Sequence, residues 1–305
     1  MADSFPSRGL KGIRIVGFKG QLTLTADLKS DHVVTKSSSK DGTWGPHSEI
    51  KDGYLEIKVD GPQSKSDWHV KSIGESSLDI HSPALPVSIV WWQGDISLKN
   101  WEASTQITHQ KGRIRIEDGG ESLKISMHEG ELDVLRHVGK IDIDNYDSKI
   151  NLKKIDGVVR VDNFQGHFFL SDSKGDLSLK TVKGKNAIDG LRGTLEFDNT
   201  QGDVQIVQTE GSIRGTAEAG TVGVTIKGPL DVRVRSDDAK VSMTLHRNVG
   251  ARVDLGTQEG SLVSGLPLKS EHIEKFKLLK GQISGNGDGF IFVRSRSGDL
   301  KIRAI

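Results

Sequence analysis

Residues 157–184 read GVVRVDNFQGHFFLSDSKGDLSLKTVKG, with glycine at Gly157, Gly166, Gly175 and Gly184. After the first three of these glycines the second and fourth residues are apolar: Val159 and Val161, Phe168 and Leu170, Leu177 and Leu179. Apolar–polar–apolar alternation rich in branched side chains reads as a short strand with one buried face. The residues between, such as Asp162-Asn163 and Ser171-Asp172-Ser173, are turn formers. Each nine-residue unit is therefore one strand and one corner.

The frame extends in both directions. Between residues 94 and 220 it gives 15 units, of which 12 begin with glycine, the exceptions being Ala103, Glu121 and Ser148. With 36 glycines in 305 residues, chance would place glycine at only about two of those positions. Repeats this short cannot bury a face alone and must stack, which predicts a solenoid. A coil of 18 residues would set Asp95, Arg113, Glu131, Lys149, His167, Lys185 and Asp203 in one outward row, largely alternating in sign. It would set Gln106, Lys124, Asp142, Arg160, Ser178, Glu196 and Arg214 in the other. A 27-residue coil would instead stack Arg113 on Lys140 on His167. Neighbours about 4.8 Å apart favour opposite charges. The expected fold is thus all-β, a parallel β-solenoid or β-helix with about two strands per 18-residue coil. An edge stack of His128, Tyr146, Phe164 and Val182 agrees with it.

Past Gly220 the frame slips: Gly228 arrives one residue early, and alternation resumes at Leu230, Val232 and Val234. The segment SEHIEKFKLLKG, residues 270–281, is the one predicted helix, with Ile273, Phe276 and Leu279 at helical spacing, Ser270 as N-cap and Gly281 as stop. At the other end, Leu22 and Leu24 follow Gly20 in the same register, while residues 36–47 and 60–69 read as polar loops. The expected organisation is a β cap of irregular or antiparallel strands over residues 1–93. The repeating units follow over 94–264, and a short helical insertion with closing strands over 265–305, all in one continuous domain. Such a cap keeps the first coil from recruiting other chains.

Composition narrows the function. The formal net charge is +1, from 42 basic and 41 acidic residues, which argues against a dedicated nucleic-acid surface. Without cysteine there are no disulfides, thiolate metal sites or thiol catalysis. No apolar run reaches the roughly 20 residues needed to span a bilayer. The opening MADSFPSRGLKG lacks a hydrophobic signal core. The expected compartment is the cell envelope, periplasmic or surface, if a signal was removed, and otherwise the cytoplasm.

The cluster SPALPVSIVWWQGDISLKN, residues 82–100, followed by serial G-x-φ-x-φ units, resembles the bacterial domain family of unknown function named "putative adhesin". Gly94-Asp95, Gly175-Asp176, Gly202-Asp203 and Gly298-Asp299 match its repeated G-D turn, over roughly residues 12–305. The resemblance implies a bacterial, often envelope-associated β-solenoid with no established activity.

Catalytic signatures are absent: no Walker loop, G-x-S-x-G elbow, H-E-x-x-H or zinc-ribbon spacing occurs. Outward acids stack on bases in the 18-residue map and read as a neutralised face rather than a catalytic carboxylate pair. Asp144, Asp162 and Asp198 read as turn residues rather than calcium ligands, and His109, His128 and His137 should not converge on a metal. No catalytic residue, metal or cofactor is expected. The buried Asn186 should hydrogen-bond to a neighbouring corner. Trp91, Trp92 and Trp101 are the aromatic concentration, and one of the adjacent pair should face outward to stack on a sugar or a partner protein. Trp44 and Trp68 are candidates for the same contact. The expected function is a non-enzymatic, adhesin-like binding scaffold for a protein or glycan partner. A self-associating structural solenoid is the alternative, and a β-helix carbohydrate-active enzyme the second alternative.

Overall fold

In a computed structural model, residues 2–38, 46–59, 76–228 and 230–305 are described. Among them every regular element is a strand, and the strands form a large, mostly parallel sheet that does not close on itself. The chain divides into two compact units, Met1–Lys149 and Ile150–Ile305.

In the first unit β1 (Ala2–Pro6), β2 (Gly12–Lys19), β3 (Gln21–Ala26), β4 (His32–Ser38), β5 (Pro46–Lys51) and β6 (Tyr54–Val59) precede β7 (Ser77–Ser82), β8 (Val87–Gln93), β9 (Ile96–Lys99) and the start of β10 (Thr105–Thr181). Sequence order is not spatial order. β2 lies between β6 and β8, parallel to both, with Ile15 beside Ile57 and Ile89. β3 likewise lies between β7 and β9, with Leu22 beside Leu78 and Ile96. Only from β8 onward does the 18-residue register hold: Thr105 pairs with Val87, and Ile114 with Ile96. The inward columns so formed are buried.

Among the described residues, antiparallel pairing near the N-terminus is confined to β1, β4 and β5 and their partners. β4 pairs antiparallel with β1 and β7, and β5 with β6. The β5–β6 hairpin turns on Asp52-Gly53, both at positive φ, 53° and 83°. That Asp-Gly pair is a tight-hairpin signal matched to strand twist.

The second unit holds the later part of β10, then β11 (Lys185–Asn199), β12 (Asp203–Val207), β13 (Glu210–Ala217), β14 (Thr221–Ile226), β15 (Leu230–Ser236) and β16 (Lys240–Leu245). The 18-residue register carries His167 onto Lys185 and Lys185 onto Asp203. Where the glycine frame slips, the coil gains one residue: Gly211 pairs with Leu230 and Thr221 with Lys240. Asn186 sits among inward residues, and its amide donates to Asp203 O at 3.2 Å, as expected of a buried asparagine. The side chain missing at Gly215 is replaced by the Phe197 ring, with which a Cβ there would collide.

The unit closes with β17 (Val249–Thr257), β18 (Leu262–Ser264), β19 (Lys269–Ile273), β20 (Phe276–Ile283), β21 (Asn286–Ser295) and β22 (Leu300–Ala304). The predicted helix over 270–281 is not formed. β19 and β20 make an antiparallel hairpin through Glu274, at φ 54°, and β20 pairs antiparallel with β17. A helix there would leave that side of β17 with unpaired backbone groups, so edge pairing overrides the local 3.6-residue spacing. The final strands insert: β21 lies between β15 and β17, and β22 between β16 and β18.

The glycine period has a steric cause. Gly112 has φ 138°, and a Cβ on it would collide with the carbonyl oxygen of Gly94 one rung away. In the second unit Gly193, at φ 146°, meets Gly175 O in the same way. At Gly228 an added Cβ meets nothing. Gly193→Ala should therefore destabilise by about 3 kcal/mol or more, combining left-handed strain with overpacking against backbone. Gly228→Ala should stay within about 0.5 kcal/mol of the parent in urea unfolding.

Candidate functional site

In the first unit, neighbouring strands set outward residues side by side. Lys58, Val16, Val90 and Thr108 form one outward row across β6, β2, β8 and β10. Phe18 and Trp92 stand together in the next row, their rings stacked with centroids 6.3 Å apart and planes 7° from parallel. Val16, Val90 and Trp92 are close to half exposed, at 48%, 46% and 49%. These residues, with Val59, Thr108 and Gln110, line a concavity of about 440 Å³. An aromatic pair bordered by an amide, a hydroxyl and an ammonium can stack on a pyranose and hydrogen-bond its hydroxyls.

The tryptophans divide as strand alternation requires. Trp91 is 2% exposed, and its indole N–H donates to Gly20 O at 3.2 Å. Gly17 leaves room for the Trp91 ring, since a Cβ there would strike it. Trp101 is 1% exposed and donates to Leu85 O at 3.1 Å. Trp91 and Trp101 are thus core residues with satisfied N–H groups, and Trp92 is the outward member of the pair. Trp44 and Trp68 lie outside the described residues. Sequence reasoning missed Val16, Phe18, Lys58 and Val90. No period links β2 to β8, so pairing of Val16 with Val90 is invisible before the fold is known.

The outward charges follow the 18-residue map. Glu131 receives Arg113 at 3.2 Å and Lys149 at 2.9 Å. The Lys149 hydrogen bond, with Arg113, holds the Glu131 carboxyl below its ordinary range. Asp118, bound by Arg136, is lowered by that hydrogen bond in the same way. His128 stacks on Tyr146 at 4.7 Å, the expected edge pair. Asn145 and, in the second unit, Asn163 and Asn199 are corner residues and are buried. Asn199 shows why: its amide donates to Gly202 O at 2.7 Å and accepts from the Gly202 N–H at 3.0 Å. Among the described residues no group of three or more His, Asp or Glu is placed to hold a metal.

His109 and His137 are buried in the first unit. The His109 Nδ1–H donates to Trp91 O at 3.0 Å, and His137 packs against Gly119. Burial lowers the pKa of both below the ordinary 6.5. The unfolded chain therefore binds more protons than the folded one below that value, so acid favours unfolding. The thermal midpoint should be flat above pH 6.5 and fall as the pH drops from there toward 5. The loss from the carboxylates, whose folded pKa values are also lowered, begins only below about 4.5. His137→Leu should flatten the upper part of that profile.

No protein-family model matches the chain, and no curated protein does. Solved structures align along nearly its whole length. One is a "putative cell adhesion protein" from Clostridium sporogenes, 9% identical, covering 100% of this chain and 99% of the other, with TM-score 0.24. A second is a "putative adhesin" from Parabacteroides distasonis, 9% identical, covering 99% and 96%, with TM-score 0.37. A third, from Bacteroides fragilis, is 12% identical, covering 100% and 96%, with TM-score 0.28. Similarity at these scores carries no argument about function.

Removing the two adjacent indoles should separate their roles. Trp91→Ala should cost about 3–5 kcal/mol of stability in chemical denaturation. Trp92→Ala should cost less than about 1 kcal/mol, being half exposed.

Proposed function

We propose that the chain is a β-solenoid of two-strand coils acting as a non-enzymatic, adhesin-like binding scaffold of the bacterial cell envelope. Its ligand would be a glycan held at the Trp92 face. The solenoid reading draws support from the parallel 18-residue register and from glycine stacking on glycine at the corners. The envelope placement follows from the adhesin reading. Among the described residues no helix is long and apolar enough to cross a membrane.

The observation that carries the binding reading is the half-exposed Trp92, stacked on Phe18, with Val90 and Val16 beside it and Gln110, Thr108 and Lys58 at the rim. Exposed apolar clusters rimmed by polar groups mark contact sites. The non-enzymatic reading rests on the carboxylates. Glu131 and Asp118 are bound by cations that keep them ionised, the reverse of the raised pKa a general acid needs. The self-associating alternative is weakened at the outer strands. β5 and β19 carry His47, Glu49 and Lys51, and Lys269, Glu271 and His272, and charged residues on outer strands discourage edge pairing.

A neutral-glycan array, with reducing-end analysis of the bound sugars, tests the proposal. The parent should bind a subset of the array, and Trp92→Ala should weaken that binding roughly thirtyfold, the loss of an aromatic anchor worth about 2 kcal/mol. A blank array, or equal binding by Trp92→Ala, would overturn the site. Release of reducing ends would overturn the non-enzymatic reading.

A further inference from the structure

The second unit carries a different surface. On the outward side of β13, β15, β21 and β17, strand register sets three rows side by side. They are Ser212–Asp231–Phe290–Arg252, Arg214–Arg233–Phe292–Asp254 and Thr216–Arg235–Arg294–Gly256. The rows hold five arginines and two aspartates. Both aspartates are engaged: Asp231 with Arg233 at 3.2 Å and Asp254 with Arg294 at 2.9 Å. Arg214, Arg235 and Arg252 are exposed and, among the described residues, have no carboxylate within ion-pair distance. A concavity of about 660 Å³ opens on this face, lined by Arg214, Arg233, Arg235, Phe290 and Phe292 and, from the neighbouring β11, by the acids Glu196 and Asp198.

We infer that this face binds a linear acidic polysaccharide bearing a carboxylate on successive sugars. Five arginines on these rows with Lys180 at the concavity outnumber Asp231, Asp254, Glu196 and Asp198, so the face keeps a local excess of positive charge on a chain that is nearly neutral overall. The planar fork of arginine matches a carboxylate with two parallel hydrogen bonds, which lysine cannot do. Arg214 and Arg235 stand on adjacent strands, whose spacing is about 4.8 Å, so a polymer crossing the strands meets a cation at each step. Ser212, two residues before Arg214 on β13, adds a hydroxyl partner, while the Thr216 hydroxyl donates to Asp198 at 2.7 Å.

Two other polyanions fit less well. Single-stranded nucleic acid needs open ring faces for its bases. Phe290 and Phe292 stack on each other at 6.3 Å, with Arg233 over Phe290 at 5.3 Å and Arg294 over Phe292 at 4.3 Å, so their faces are engaged. An acidic peptide adding as a strand needs a sheet edge, whereas this is a sheet face.

Titration calorimetry of the full chain with polygalacturonate, neutral dextran and oligothymidylate tests the inference. Polygalacturonate should bind, more weakly at 200 mM than at 50 mM NaCl, and dextran should not. The double substitution Arg214→Gln with Arg235→Gln should weaken binding at least about tenfold without moving the thermal midpoint. Arg235→Lys, which keeps the charge and loses the fork, should fall between. Trp92→Ala should bind polygalacturonate as the parent does, so that failure of the Trp92 site and of this one are told apart. Three results would overturn the inference: no binding of polygalacturonate, undiminished binding by the double variant, or tighter binding of oligothymidylate.

Discussion

Contact between corner glycines is the constraint on which the rest of the structure depends. At each such corner the backbone of one rung presses on the carbonyl of the next so closely that even a methyl group does not fit. That contact sets the step between rungs, and the step brings parallel strands into hydrogen-bonding distance. With the step fixed, residues 18 apart fall into columns. Ile114 then lies on Ile96 in one unit, and Ile206 on Ile188 in the other. The apolar columns supply the burial, and the glycine corners supply the alignment.

The same alignment governs the surface. An outward residue has fixed neighbours, so charge has to be arranged by column. Glu131 between Arg113 and Lys149 is one outcome, a pattern of local neutrality. The apolar row at Val16, Val90 and Trp92 in the first unit departs from it, and so do the arginine rows in the second. Both are sheet faces that carry a concavity, where several side chains point one way and a ligand can meet them together.

What could be read before the structure was known depended on whether the signal was periodic. Strands of the repeat, the 18-residue register, the charge column through Glu131 and the partner-seeking Asn186 were all visible, because period and chemistry pointed the same way. The helix over 270–281 was misread, since Ile273, Phe276 and Leu279 carry helical spacing while the open side of β17 demands a strand. The burial of the corner residues Asn145, Asn163 and Asn199 was not legible, because turn propensity does not tell a buried corner from an open one. The Phe18–Trp92 pair lay beyond reach altogether. Its members come from strands brought together by a pairing that no repeat encodes.

The interleaving of the terminal strands bears on how the polypeptide is made. In the second unit β21 and β22 are synthesised after β15 to β18, yet they fill the place between β15/β16 and β17/β18. Those earlier segments cannot settle on each other as they emerge, for the layer between them has not been synthesised. Completion of these layers therefore waits for β21 and β22, and the closing event brings together residues as far apart in the chain as Val241 and Leu300. A ribosome stalled before Asn286 would hold a chain whose final parallel pairings have no partner.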